Sequence, residues 1–372
     1  MSWEWVDSDR GLAEVVAQVI DGDFVAIDTE FRRRDTFWPE VALVQIATAD
    51  QVWLIDPLPL TDTGPLAELL QKSTLTKVLH SAGEDLEVFQ AWLGVLPSPL
   101  FDTQKAAALL GYGFGLSYAK LVEAVCQVSL DKDETNSDWL VRPLTSAQCR
   151  YAAQDVTYLV DVYSRLLGDA GTQGRLEWIL EEGEGVSVGG RGPLAKFRNA
   201  WKLQPEALAV LYGLLDWREQ QARERDRPRN WILHDKVINE IVRALPERLD
   251  QLAGLEGMSE GVVRRQGKAL LALIAAARRD ASSKPPEPVA QPLSGTQKRM
   301  AKVLAQAIEN RASELRLSPE ILFPKRDAEL LARELCGDSI EVPSHWQGWR
   351  DGAIVKPLRF ISEAVKNQEG AK

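Results

Sequence analysis

The stretch FVAIDTEF, residues 24–31, reads as a β-strand in which a buried run meets two acids. Phe24, Val25, Ala26 and Ile27 are apolar on both sides of the pleat, as in a strand covered from both faces. Asp28 and Glu30 follow, with only Thr29 between them. Period-two geometry turns both carboxylates to one face, close enough to repel. Two anions beside a buried strand are costly unless a cation joins them. The strand therefore predicts a cation.

Outward from it, strand-like runs VALVQIAT (41–48), QVWLID (51–56) and TKVLHSA (76–82) alternate with helical patterns over Pro65–Gln71, Glu84–Leu93 and Ser146–Leu167. That alternation indicates a mixed α/β layer domain. EEGEGVSVGGRGP (181–193) is Gly-rich and polar and reads as a linker. Beyond it the strand signal disappears and helical periodicity takes over. SSKPPEPVAQP (282–292) reads as an extended spacer between two helical segments. Those segments resemble each other: Ile232, Leu233, Lys236 and Ile241 recur at the same spacing as Ile321, Leu322, Lys325 and Leu330. A duplicated helical module is expected.

Composition narrows the chemistry. With 372 residues the chain suits two or three domains. No apolar run reaches membrane-spanning length, and MSWEWVDSD is acidic where a signal peptide would be basic, so a cytoplasmic protein is expected. Three scattered cysteines suggest neither a disulfide framework nor a CxxC zinc site. His80, His234 and His345 lie far apart, so a bound metal must rely on oxygen ligands. The net charge of −10 is unevenly spread: residues 1–190 hold 13 Lys+Arg against 30 Asp+Glu, residues 191–372 hold 31 against 24. An acidic front half and a basic back half argue for divided labour.

Two further acidic positions complete the pattern. In VLHSAGEDLEVF, Asp85 stands at a strand-to-helix junction, where an acid is already favourable against the helix dipole. In YAAQDVTYL, Tyr151 and Asp155 are four apart on a helix and project from one face. Each alone is commonplace. Together they supply four carboxylates and a phenol, an oxygen-only set suited to Mg²⁺ or Mn²⁺. Two such ions can clamp the attacking and leaving oxygens of a phosphoryl displacement.

FVAIDTEF, KVLHSAGEDLEVF and SDWLVRPLTSAQCRYAAQDVTYL, in that order, resemble the ribonuclease D family, the tyrosine-bearing branch of the DEDD 3′–5′ exoribonucleases. The basic half, with LYGLLDWREQQARERDRPRNWILHD, resembles tandem HRDC domains, helical nucleic-acid-binding modules. The resemblance implies a ribonuclease H-like α/β exonuclease domain over 1–190 and HRDC-type all-α domains over 191–285 and 286–372. It implies a hydrolase releasing nucleoside 5′-monophosphates from RNA 3′ ends, with transfer-RNA precursors as substrate and a monomeric state. Asp28, Glu30, Asp85 and Asp155 would hold two divalent cations, Mg²⁺ or Mn²⁺, and Tyr151 would orient the attacking water. A DNA exonuclease fits the same carboxylates, since discrimination needs 2′-hydroxyl contacts. A silent RNA-binding scaffold is disfavoured by the intact acids. One departure from the family is Asn136, where a basic residue often precedes the SDW triplet. Of the remaining residues, His80 and Trp139 are expected to be structural. The run Arg32-Arg33-Arg34 is a solvated loop or a phosphate contact, and RERDRPR (223–229) is a solvated helix end.

Overall fold

The computed structural model describes residues 2–361 except 131–133, 135–136, 187 and 189–191, so Asn136 lies outside the described residues. Six strands form one mixed sheet: β1 (Glu4–Val6), β2 (Phe24–Arg32), β3 (Glu40–Ala47), β4 (Val52–Ile55), β5 (Thr76–Leu79) and β6 (Leu100–Asp102). Their order is β1-β4-β3-β2-β5-β6, which places β2 inside the sheet. It runs parallel to β5, with Phe24, Val25 and Ala26 opposite Thr76, Lys77 and Val78. β3 and β4 are antiparallel.

Among the described residues, seven helices accompany the sheet: α1 (Asp9–Val19), α2 (Gly64–Gln71), α3 (Gly83–Trp92), α4 (Thr103–Leu109), α5 (Tyr118–Cys126), α6 (Ser146–Gln173) and α7 (Leu176–Glu184). Alternation in β2 divides them. Val25 and Ile27 pack with α1, α2 and α3 through Leu12, Leu66 and Phe89. Ala26 packs with the other layer, through Val156, Leu159 and Tyr163 of α6. Both faces are therefore dry, as the unbroken apolar start of β2 requires.

The chain falls into two compact units: Met1–Arg32, Val41–Val188 and Leu293–Lys372 form one, Arg33–Glu40 and Gly189–Pro292 the other. The second helical module thus belongs to the unit that contains the sheet. Its helices Gly295–Leu315 and Lys325–Leu335 contribute Leu304, Ile308 and Leu331 to the same core as α4 and α6. Arg350 is buried and ion-paired to Glu182 of α7, and it donates to the carbonyls of Leu322 (3.2 Å) and Ile321 (2.9 Å). The rings of Trp178 and Trp349 stack 4.6 Å apart.

This packing corrects part of the linker reading. Residues 181–184 form the last turn of α7. Gly183 serves close approach rather than flexibility, since a Cβ there would lie 2.0 Å from the Leu100 carbonyl oxygen.

The other unit is helical. Helices Pro205–Glu224 and Glu260–Ser283 are its longest, and their core includes Leu211, Leu214, Ile238 and Ile274. The duplication expected from sequence appears in element order. A long helix, a one-turn helix and an amphipathic helix occur as Pro205–Glu224, Arg229–Ile232 and Asp235–Ala244, and again as Gly295–Leu315, Pro319–Leu322 and Lys325–Leu335. Ile232, Leu233 and Ile241 are buried in the first, Ile321 and Leu322 in the second, where Leu330 is half-buried. No described helix is long and apolar enough to cross a membrane.

Candidate active site

Helix α6 is set by its start and by its packing. Thr145 and Gln148 form a reciprocal capping box, which satisfies two otherwise orphaned amides. Farther along, the Tyr163 ring lies 4.6 Å from Phe24 and 4.9 Å from Phe101. This contact fixes where the acids meet. From Phe24 to Asp28 is four residues of strand, about 13 Å. From Tyr163 back to Asp155 is eight residues of helix, about 12 Å. Equal travel from one shared contact brings Asp155 level with Asp28. Ala152 and Ala153, both fully buried, let the helix approach closely.

The result is a cluster in which carboxylate oxygens of Asp28, Glu30 and Asp155 lie within 4.8 Å of one another. All three side chains are half-buried. Burial, then Asp85, Asp155 and Glu30, push the Asp28 carboxyl well above its ordinary range. Burial, then Asp155 and Asp85, raise Glu30 to about 9. Burial raises Asp155 to about 7. Hard oxygen donors that repel one another suit a divalent cation, which would supply the missing positive charge.

Asp85 stands beside this trio. Its helix begins at a turn where Ser81 adopts φ 58° and the amides of Ser81 (3.0 Å) and Ala82 (3.1 Å) donate to the Asp102 carboxylate. Asp85 is 8% exposed and accepts a 2.5 Å hydrogen bond from Thr29 Oγ1. Burial raises its carboxyl to about 7, against the lowering effect of the Thr29 bond. The two acids of β2 thus flank a threonine that holds the third element's acid.

Tyr151 lies one turn before Asp155, half-buried, with its ring 6.0 Å from Trp139, which is 3% exposed. Two neighbours escaped the sequence reading. Thr29 could have been found as the polar residue between two acids on a buried strand. Tyr118 carried no signal; its hydroxyl donates to the Gln154 carbonyl at 3.0 Å, which ties α5 to α6 beside Asp155. Burial, Asp155 and Asp28 hold its phenol well above the ordinary value. His80 meets Thr103 Oγ1 (3.0 Å) and the Leu116 carbonyl (3.1 Å), and burial lowers its pKa.

Comparison with known proteins places this chain in a family. The family model described as 3′-5′ exonuclease matches residues 3–169, and the HRDC domain model matches residues 207–274. Ribonuclease D of Pseudomonas paraeruginosa is 41% identical, covering 93% of this chain and 94% of its own. The chain belongs to the ribonuclease D family. Ribonuclease D of Escherichia coli is 35% identical over 97% of this chain and 98% of its own. Its crystal structure superposes with a TM-score of 0.88, covering 98% of this chain and 99% of that one. The catalytic core of RRP6 from Trypanosoma brucei superposes at 0.56 with 26% identity, covering 74% of this chain and 80% of that one. Ribonuclease D membership makes the protein a nuclease, with a 3′–5′ exonuclease domain built on the mixed sheet and helical HRDC-type modules after it.

Proposed function

We propose that the protein is a two-metal 3′–5′ exoribonuclease that trims RNA 3′ ends to nucleoside 5′-monophosphates, with transfer-RNA precursors among its substrates, and that it acts as a monomer in the cytoplasm. The observation that carries this reading is the convergence of Asp28, Glu30 and Asp155, with Asp85 adjacent, on an oxygen-only site. Asp28, Glu30 and Asp155, with Asp85 beside them, would hold the metals. When bound, Mg²⁺ or Mn²⁺ would lower the pKa of the attacking water and offset charge on the departing 3′ oxygen. Tyr151 positions the water by a hydrogen bond; a phenol of pKa about 10 is a poor base on its own. The water oxygen joins phosphorus as the bond to the 3′ oxygen breaks, so the phosphate leaves on the 5′ carbon of the released nucleotide.

The choice of RNA is supported by the ribonuclease D relatives and by the Escherichia coli protein, described as an exoribonuclease involved in structured RNA processing. The division of labour follows the sequence: residues 1–190 cleave, and the helical segments 191–285 and 286–372 hold RNA. The test uses RNA and DNA oligomers labelled at either end, with Mg²⁺ or Mn²⁺. Label at the RNA 3′ end should appear at once as mononucleotide, while 5′-labelled RNA shortens stepwise. Equal attack on DNA would favour the DNA exonuclease reading, and untouched RNA would end the proposal.

A further inference from the structure

The first helical module carries an aromatic and arginine patch that the chemistry above does not use. It is built from RERDRPRNW, residues 223–231, and from the loop Arg33–Glu40, which belongs to the same compact unit. Asp226 adopts φ 47° at the end of helix Pro205–Glu224 and accepts hydrogen bonds from the amides of Phe37 (2.9 Å) and Trp38 (3.0 Å). Left-handed backbone is unfavourable for most side chains other than Asn and Asp. Here it turns the carboxylate onto the loop. Phe37, 4% exposed, packs on Ala222 and Ile232 and anchors the loop.

Two tryptophans remain in solvent around this anchor. Trp38 is 36% exposed and Trp231 62% exposed. Each has a guanidinium as neighbour: Arg223 lies 5.1 Å from the Trp38 ring, and Arg227 lies 5.8 Å from the Trp231 ring. Arg223 is occupied by Glu219. Arg227 donates to a backbone carbonyl, that of Asp35, at 3.2 Å, and its charge is left to face solvent. The unit as a whole holds 20 Lys+Arg against 15 Asp+Glu, while the rest of the chain holds 24 against 39. The unit that carries these two rings is therefore net positive in a protein that is acidic overall.

We propose that this patch binds unpaired nucleotides of single-stranded RNA, with bases stacked on Trp231 and Trp38 and Arg227 meeting an adjoining phosphate. Rigid aromatic faces beside arginine are what sequence-tolerant single-strand binding needs, because every base offers a π-face and every linkage a charge. An apolar peptide partner would gain nothing from the guanidinium beside each ring. The proposal rests on the RNA reading above, and it adds a second point of contact, on the helical module.

The test is binding of fluorescent oligoadenylate to the full-length protein in EDTA, where hydrolysis is absent, followed by anisotropy. Trp231→Ala should weaken binding about tenfold, the lower part of the range for one stacked base. Trp231→Phe should restore most of it, and Trp38→Ala should show a loss of the same kind. Arg227→Gln should reduce the slope of log K against log salt by about 0.7. An abasic oligomer of equal length keeps the phosphates and removes the rings, so wild type and Trp231→Ala should bind it equally. Unchanged affinity for oligoadenylate in both tryptophan variants, or an equal loss on the abasic chain, would overturn the proposal. Hydrolysis is read separately with Mg²⁺. A wild type that binds RNA through Trp231 without cleaving it would sink the exoribonuclease reading and leave the patch standing.

Discussion

Replacing Asp28 by Asn removes one charge from the acidic cluster while keeping the side chain's size, and two opposite effects should follow. Metal-dependent hydrolysis should fall by orders of magnitude, because ligand, ion and water act as one unit. Metal-free stability should rise at alkaline pH. Carboxylates within 4.8 Å of one another repel, by about 3 kcal/mol per ionised pair at an effective dielectric of about 20. The pH window follows from the raised pKa values, about 7 for Asp155 and about 9 for Glu30. Acids raised in the folded state hold protons that the unfolded chain releases above its ordinary carboxylate range. Their contribution to stability is therefore full below the ordinary carboxylate range, about 4, and falls as pH rises until it is gone at about 7 for Asp155 and about 9 for Glu30. The loss is up to about 1.4 kcal/mol per pH unit for each group still holding its proton. Wild type in EDTA should melt at a lower temperature at pH 9 than at pH 6, and Mn²⁺ should restore it. Asp28→Asn should show a shallower decline and a higher metal-free Tm at pH 9, by about 2–4 °C per kcal/mol regained. Melts at both pH values and initial rates on single-stranded RNA measure the two halves. A variant keeping more than about a tenth of the wild-type rate, a barrier change under about 1.4 kcal/mol, would refute the assignment. So would a metal-free Tm at pH 9 no higher than wild type.

Tyr151→Phe should lower turnover about 10²–10⁴-fold with metal affinity unchanged; titration calorimetry showing both collapse together would make the tyrosine a support for the ligands. Glu182→Gln leaves the Arg350 guanidinium buried without its carboxylate, and should cost about 3–5 kcal/mol in a denaturant melt. Deleting residues 286–372 would strip Pro319–Leu322 from α4 and remove Leu304, Ile308 and Leu331 from the core that α4 shares with the sheet domain. The truncated protein should therefore lose its cooperative transition by circular dichroism rather than survive as an active domain on short oligomers. A cooperative, active truncation would show that the second module is dispensable for the catalytic fold.

Local pattern and tertiary packing divided the information unevenly. The alternation of apolar runs with 3.6-period segments placed some strands and helices within a residue or two, as at Phe24–Arg32 and Gly83–Trp92, because pleat and helix periods are properties of short segments. It stopped six residues short of the end of α6 at Gln173, carried β5 three residues too far, and left β1, β6, α1, α4, α5 and α7 unread. Those periods also set which acids share a face: Asp28 with Glu30 across one pleat, Tyr151 with Asp155 across one turn. Glu182 and Gly183 show the limit of such reading. A glycine-rich acidic run has the composition of a linker, yet here it forms the last turn of α7, with the Glu182 carboxylate on Arg350 and Gly183 against the Leu100 carbonyl. Arg33–Glu40 shows it again, since a loop between two strands takes its partners from the helical unit through Asp226. The meeting of Asp155 with Asp28, the Thr29 bond that holds Asp85 beside them, and the shared core of the second helical module all join segments more than 50 residues apart. Such contacts depend on which surfaces bury one another once every element has formed, a competition that no short window of residues contains.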